Sequence, residues 1–347
     1  MAYVAVKGGE AAIEQSLKLL DEVYQSSGRL EVQTILTDMP LLIDKVMSEA
    51  GMYAPEYAAL ALKQSKGSVE EAVFLLRAYR STLKRDYYSL PADCKDMRIM
   101  RRISAAFKDI PGGQILGASF DYAHRLLDFS LLEENGRPIA ENAEEDTAED
   151  IYCGRVDELL QADGMLEQPE KDDTKPYDIT THVLTFPAPR SARLQTMARS
   201  EAGFLEGVAY SAMRGYGAVH PTVSELRSGY VDIMIPYPLE EGEAICIGAV
   251  NVTEVEALWP VHEETKEEFD KIRLSGGYGC VIGNNETKAI AMSIADASLN
   301  TTGNTPSQDE EFVLTHGDCL EMQGFISHLK LPHYVTFQSK LDRVREY

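Results

Sequence analysis

Basic residues stand close to glycine in two stretches of the sequence, a combination that proteins use to hold phosphate groups. The first stretch runs over residues 98–113 and the second over residues 190–230. Guanidinium and ammonium groups bind phosphate oxygens, and glycine allows backbone amides to approach an anion closely. A solvated helix face followed by a turn, or arginines paired with neighbouring glutamates, would explain the same residues. The candidate phosphate ligands are Arg102, Lys108, Arg193, Arg214 and Arg227.

Two histidines near the C-terminal end of the sequence have a spacing that suits metal ligands. His328 and His333 lie on either side of Pro332, which makes the chain between them extended or bent. Both imidazoles can then turn toward one ion, as neutral imidazole does for zinc. Two ligands are too few for a stable tetrahedral site, and His316 and Cys319, a partner chain or water could complete it. Histidines with a purely structural role are the alternative.

The glycine-rich stretch 276–283 does not match a nucleotide-binding loop. Its third glycine comes one place late for the dinucleotide motif, and its glycines precede a predicted strand instead of following one. We expect a tight turn that enters a strand. The P-loop pattern is absent from the sequence as well. Any nucleotide must therefore be held in another way.

The charge balance argues against generic nucleic-acid and anionic-membrane binding. Acidic residues outnumber basic ones 56 to 33 in the 347-residue chain, for a net charge of -23, whereas such binding draws most of its affinity from basic surface. No apolar run approaches the ~18–20 residues of a membrane span, and we expect no signal peptide. The five cysteines form no C-x-x-C pair. These features predict a cytoplasmic protein with reduced thiols.

Hydrophobic periodicity predicts an α+β protein in three parts. Residues 1–132 are predicted to form a helical N-terminal domain, with Pro55 in the first turn of one helix and a capping box from Ser68 to Glu71 opening another. Residues 133–180 are predicted to be a mobile acidic insert or linker, because residues 133–173 carry fifteen acids and three bases and like charges resist packing. Residues 181–347 are predicted to form a mixed α/β C-terminal domain, with helices over 191–213, 287–299 and 337–345 and strands over 230–235, 244–252 and 278–282.

Long, distinctive runs of sequence occur along nearly the whole chain. They include FLLRAYR at 74–80, KDIPGGQ at 108–114, QDEEFVL at 308–314 and SHLKLPHYV at 327–335. In these runs the chain resembles the PhnI family, whose members are core subunits of the bacterial carbon–phosphorus lyase machinery. The likeness thins through the acidic insert and at the C-terminal end.

The resemblance implies a subunit of a cytoplasmic core complex that also contains PhnG, PhnH and PhnJ. Together with PhnG, PhnH and PhnL, PhnI proteins replace the adenine of ATP by an alkylphosphonate, which gives alpha-D-ribose 1-methylphosphonate 5-triphosphate when the phosphonate is methylphosphonate. Alone, they are credited with hydrolysing the glycosidic bond of ATP or GTP, with magnesium on the nucleotide. PhnK is a further candidate partner. His328 and His333 match the family's zinc ligands at the interface with PhnJ, and Cys319 is not part of that pattern.

The implied reaction also assigns roles to carboxylates. Displacement at C1′ of ribose passes through an oxocarbenium-like transition state, which requires stabilisation of the positive sugar, a proton for the leaving base and cations for the triphosphate. A carboxylate can serve the first two needs. A non-catalytic subunit that frames the active site of a partner is the alternative. The candidate catalytic residues are Asp109, Asp121, Asp309, Glu310 and Glu311.

Overall fold

The computed structural model describes residues 9–25, 30–132, 151–166, 174–217, 219–265 and 268–346. These ranges contain helices and one antiparallel sheet, so the predicted α+β class is confirmed. The helices are α1 Gly9–Gln25, α2 Val32–Asp38, α3 Pro40–Ala50, α4 Pro55–Gln64, α5 Val69–Thr82, α6 Val156–Ala162, α7 Arg190–Arg199, α8 Ala202–Tyr210, α9 Glu286–Leu299, α10 Glu310–Thr315, α11 Cys319–Ser327 and α12 Tyr334–Arg345. The strands are β1 Arg98–Ile103, β2 Thr222–Pro236, β3 Ala244–Thr265 and β4 Glu268–Ile282. No helix within the described ranges has the length and apolar character to cross a membrane.

One compact unit comprises residues 1–82 and 318–347, and its described part is helical. Three of its helix ends lie where local signals predict. Pro55 occupies the first turn of α4, Gly51 ends α3 in the left-handed conformation with φ of 65°, and Ser68 Oγ accepts a hydrogen bond from the Glu71 amide at 3.3 Å. An ion pair of 2.5 Å joins Arg77 on α5 to Asp318, which caps α11.

The other compact unit comprises residues 83–317 and contains the four-stranded sheet, in the order β1-β2-β3-β4. Strand β1 lies within the range that was predicted to be all helical. It forms because residues 98–103 pair with residues 226–230 of β2, more than a hundred positions later in the chain. A hydrophobic core that includes Leu226, Val255 and Met292 joins the sheet to α9.

Gly277 and Gly279 lie inside β4 and not in a tight turn, so the turn predicted for this stretch is wrong. A Cβ atom on Gly277 would lie 2.1 Å from the carbonyl oxygen of Ser293, and one on Gly279 would lie 2.1 Å from that of Ala289. Both carbonyls belong to α9. The glycines are therefore needed because α9 packs directly on the backbone of β4, a contact that the local sequence does not reveal.

Only part of the predicted acidic insert falls within the described residues, since residues 133–150 and 167–173 lie outside them. The part over 151–166 packs on the sheet, contrary to the expectation of a mobile linker. Val156 and Leu160 are 2% and 7% exposed, and Arg155 contacts Glu254 of β3 at 2.7 Å. A few apolar side chains and an ion pair are enough to hold this segment in spite of its acidic surroundings.

The helix predicted over 191–213 is divided into α7 and α8 at Ser200 and Glu201. The Glu201 side chain accepts a hydrogen bond from the Phe204 amide at 2.7 Å and so caps α8. The Glu201 amide donates to the carbonyl oxygen of Gly317 at 2.7 Å, outside any helix. A new N-terminus therefore begins inside a stretch whose periodicity alone predicts one helix.

Candidate functional site

His328 and His333 lie beside each other between α11 and α12. Their ring centroids are 5.4 Å apart and the rings meet edge to face. Nδ1 of His328 contacts the Phe325 carbonyl oxygen, and Nδ1 of His333 lies 2.6 Å from the Leu331 carbonyl oxygen. Because a carbonyl oxygen only accepts hydrogen bonds, each Nδ1 acts as a donor, which leaves each Nε2 as the ring nitrogen that could bind a metal.

This arrangement fits two ligands of one tetrahedral zinc ion. Zinc–nitrogen distances of about 2.0–2.1 Å place the centroids of two bound imidazoles about 5 Å apart, and a hydrogen bond at the other ring nitrogen is the usual support of a metal-bound histidine. Cys319, at the start of α11, is 2% exposed, and burial raises the pKa of its thiol to about 12. Among the described residues, no group of three or more His, Cys, Asp or Glu side chains is arranged to hold a metal ion.

Arg193 and Glu310 are a predicted cation and a predicted carboxylate that the fold brings together. Arg193 lies on α7 and Glu310 begins α10, with 3.9 Å between Nε and Oε1. The Arg193 guanidinium donates to Asn300 Oδ1 at 3.0 Å, and the Glu310 carboxylate accepts from the Ala188 amide at 3.2 Å. The two side chains are 16% and 24% exposed. Each is thus oriented by protein groups and still open to solvent.

Arg190 and Asp296 extend this cluster and were not predicted. Oδ2 of the fully buried Asp296 accepts hydrogen bonds from Arg190 Nη2 at 2.8 Å and from the Tyr278 amide at 3.0 Å. Its Oδ1 has no hydrogen-bond partner among the described residues, and burial raises the pKa of this carboxyl group. The Arg190 side chain is half exposed. The only signal in the sequence is an acid within an alanine-rich helix.

We name Arg190, Arg193, Asp296 and Glu310 the α7 cluster. Arg190 and Arg193 are three residues apart on α7, so their side chains share one face of the helix. Two guanidinium groups at this spacing can hold neighbouring phosphate groups. Glu310 supplies a carboxylate beside them, and burial raises the pKa of Asp296. The cluster therefore combines two cations that can bind an anion with two carboxyl groups.

Arg102 and Arg227 lie instead in the sheet, on the side away from α9. Both are completely buried, and each pairs with a glutamate at 2.5 Å, Arg102 with Glu225 and Arg227 with Glu254. Their other donors bond backbone carbonyls of residues 94, 111, 153 and 154. In this arrangement the two arginines hold covering segments on the sheet and do not offer donors to a dissolved phosphate.

A carboxyl group of the same buried network has a strongly altered pKa. Burial, reinforced by the nearby charges of Asp157 and Glu254, raises the pKa of Glu256 to about 8, although Arg155 approaches it at 3.5 Å. Glu256 Oε2 has no hydrogen-bond partner within the described ranges. Burial also raises the pKa of Asp157, whose Oδ1 accepts from Ser224 Oγ at 2.6 Å. Burial therefore favours the protonated form of the carboxyl groups in this network.

The remaining predicted residues do not join either group. Asp121 forms an ion pair with the buried Arg101, and Asp309 caps α10 by accepting from the Phe312 amide at 3.0 Å. These two acids therefore have structural partners. The others are exposed: Lys108, Asp109, Arg214 and Glu311.

Comparison with known proteins identifies the family to which this chain belongs. Residues 2–347 match the sequence model of a bacterial phosphonate metabolism protein. A relative from Escherichia coli K12 is 44% identical over 99% of this chain and 97% of its own length, and one from Rhizobium meliloti is 42% identical over 99% and 94%. Both are named alpha-D-ribose 1-methylphosphonate 5-triphosphate synthase subunit PhnI. A relative from Stutzerimonas stutzeri, named putative C-P lyase subunit protein HtxH, is 44% identical over 99% of this chain and 95% of its own.

The chain belongs to the PhnI family. The match covers both compact units, so the family assignment applies to the helical unit with the histidine pair and to the sheet-containing unit with the α7 cluster. The family resemblance that the sequence runs indicated is therefore confirmed.

Proposed function

We propose that this chain is an enzyme subunit that replaces the adenine of ATP by an alkylphosphonate and so makes alpha-D-ribose 1-methylphosphonate 5-triphosphate from methylphosphonate. Two relatives that are 42% and 44% identical over 99% of the chain are named as a subunit of the synthase for this compound. The observation in the fold that supports an active role is the α7 cluster, because it brings two arginines and two carboxyl groups together from separate elements.

The reaction breaks the bond between C1′ of ribose and a ring nitrogen of the base. The bonding electrons leave with the base, which takes up a proton, and a phosphonate oxygen forms the new bond to C1′. We assign Arg190 and Arg193 to the triphosphate and Glu310 to the positive charge that develops on the sugar, while the buried Asp296 holds Arg190 in position. When water takes the place of the phosphonate, the same steps hydrolyse ATP or GTP to the free base and a ribose triphosphate.

The histidine pair belongs to a separate part of the proposal. His328 and His333 would hold zinc through Nε2, and the ion would join this chain to a partner subunit whose side chains or water complete the shell. Magnesium would arrive with the nucleotide as part of the substrate. We propose that PhnG, PhnH, PhnJ and PhnL proteins are the partners, with PhnK as a further one.

Release of base from nucleotide tests the proposal directly. The purified chain, alone and assembled with PhnG, PhnH and PhnL proteins, is incubated with ATP or GTP and magnesium, and adenine or guanine is measured by chromatography. We expect release by the wild type and a loss of about 100-fold or more in kcat for Glu310→Gln, the size of a lost electrostatic contact with the transition state. Glu241→Gln changes an exposed acid outside the cluster and should leave the rate unchanged.

The possible results distinguish the proposed enzyme function from its alternatives. Base release by the assembly but not by the well-folded chain would mean that the chain is no nucleosidase on its own. A rise in KM at constant kcat for Glu310→Gln would show that Glu310 assists substrate binding and not the chemical step. If the assembly stays active when both Asp296 and Glu310 are replaced, the chain frames the active site of a partner, as the non-catalytic alternative holds.

A further inference from the structure

We name residues 119–132 the leucine arm. We propose that the leucine arm is a docking surface, which binds in an elongated apolar groove on another protein subunit of the synthase. The inference rests on the proposed function, since it takes from the relatives' names that this chain works as a subunit among others. It adds the part of the chain that makes the contact and the chemistry of the surface that receives it.

The leucine arm exposes large apolar side chains to a degree that is unusual for a protein surface. Scattered apolar residues on a surface need no explanation, but contiguous patches beyond a few hundred Å² mark sites of interaction. The exposed fractions are Phe120 66%, Tyr122 66%, Leu126 83%, Leu127 83%, Phe129 72%, Leu131 73% and Leu132 80%.

Contacts with the sheet fix the position of the base of the leucine arm. Just before it, Ile115 exchanges two backbone hydrogen bonds of 2.7 Å with Arg102 of β1. The guanidinium group of Arg101, 4% exposed, bonds the Leu116 carbonyl oxygen and the carboxylate of Asp121, and pairs with Glu286 of α9 at 2.6 Å. A buried arginine thus ties the start of the arm to the sheet and to a helix.

Local hydrogen bonds also shape the arm beyond this anchor. Ser119 Oγ accepts from the Asp121 amide at 3.1 Å, and Arg125 Nε donates to the Phe120 carbonyl oxygen at 3.2 Å. Arg125 has a φ of 55°, a conformation that non-glycine residues rarely adopt and that turns the chain just before Leu126 and Leu127. The two most exposed leucines of the arm therefore follow a defined turn.

The size and charge of the surface favour a protein partner over a membrane. The seven exposed side chains offer on the order of 1,000 Å² of apolar area, against about 800 Å² that each partner contributes to a standard protein interface. The net charge of -23 would repel an anionic lipid surface. A groove lined by apolar side chains on an unlike subunit removes this area from water without bringing the acidic chain to a lipid headgroup.

The test compares two double variants that add the same charge. Leu126→Asp with Leu127→Asp alters the arm, and Val183→Asp with Leu239→Asp alters two residues that are 85% and 84% exposed elsewhere in the same unit. Each chain is co-expressed with PhnG, PhnH and PhnJ proteins of the same organism, and the assemblies are identified by native mass spectrometry. We expect the arm variant to bind at least tenfold more weakly, and the control to assemble like the wild type.

Several results would overturn the inference. If the wild type and both variants assemble alike, the leucine arm is not an interface, whereas a wild type that forms no assembly would count against the proposed function itself. Loss of self-association only, or binding of neutral phosphatidylcholine vesicles only, would assign the arm to a second copy or to lipid. If the arm variant unfolds, a photoreactive phenylalanine analogue is placed at Phe129 of the otherwise unchanged full chain, and we expect it to cross-link to another subunit. Absence of this cross-link would also refute the proposal.

Discussion

Replacement of Glu256 by glutamine should stabilise the protein, and by more as the pH rises. The Glu256 side chain is 12% exposed, and burial together with the charges of Asp157 and Glu254 raises its pKa from 4.5 to about 8. Arg155, 3.5 Å away, opposes this rise without cancelling it. Glutamine has the shape of the protonated carboxyl group and cannot ionise, so it removes the cost of a buried negative charge.

The size of the stabilisation follows from the difference in the pKa of Glu256 between the folded and the unfolded chain. Between pH values of about 4.5 and 8 the folded chain keeps a proton on Glu256 that the unfolded chain has released, so the free energy of unfolding falls as the pH rises. At about 1.4 kcal/mol for each pKa unit the loss reaches at most about 5 kcal/mol above pH 8. Because Asp157 titrates together with Glu256, we expect a gain of about 2–5 kcal/mol for the variant at high pH and almost none near pH 4.5.

Urea unfolding at several pH values between about 5 and 8.5, followed by circular dichroism, measures this effect. Glu241→Gln is the matched control, because Glu241 is exposed and a change there should stay within ~0.5 kcal/mol. The expected result is a wild-type stability that falls with rising pH and a flatter curve for Glu256→Gln.

Parallel pH curves for the wild type and Glu256→Gln would refute the reasoning. They would mean that Glu256 is ionised at neutral pH in the folded chain and that Arg155 compensates its charge. A variant less stable than the wild type at every pH would point to a hydrogen bond of the carboxylate that glutamine cannot make.

Three other predictions follow from contacts of named side chains. Arg227→Met should cost about 3–5 kcal/mol in urea unfolding, because it leaves a buried glutamate without its closest cation, whereas Arg214→Met should cost no more than ~0.5 kcal/mol; equal losses would contradict the buried role of Arg227. Gly279→Ala should lower the thermal midpoint, with a loss of about 1–3 kcal/mol or more, because the added Cβ would lie 2.1 Å from a carbonyl oxygen of α9; an unchanged midpoint would exclude that close contact. His328→Ala and His333→Ala should each remove zinc from the purified assembly in elemental analysis, and acidification should release it from the wild type; unchanged zinc content in both variants would exclude the histidine pair as its ligands.

The sequence by itself determined the local features of this protein. Pro55 at the start of α4 and Gly51 at the end of α3 act within one helical turn, so the chain around them needs no distant partner. The same holds for His328 and His333, whose short separation across Pro332 brought the two rings together. The long runs of distinctive sequence likewise led to the correct family.

Only the tertiary structure decided which charged residues are buried and which are open to solvent. Arg214 and Arg227 have similar surroundings in the sequence, each with a glycine within two positions, but one is exposed and the other is 1% exposed. Arg102 finds its glutamate 123 positions away, and Asp296 meets Arg190 only because α9 packs beside α7 and β4. Whether a charge is desolvated depends on which strands pair and which helix covers them. Strand pairing and helix packing are decided by many contacts between distant residues, which a local sequence pattern does not contain.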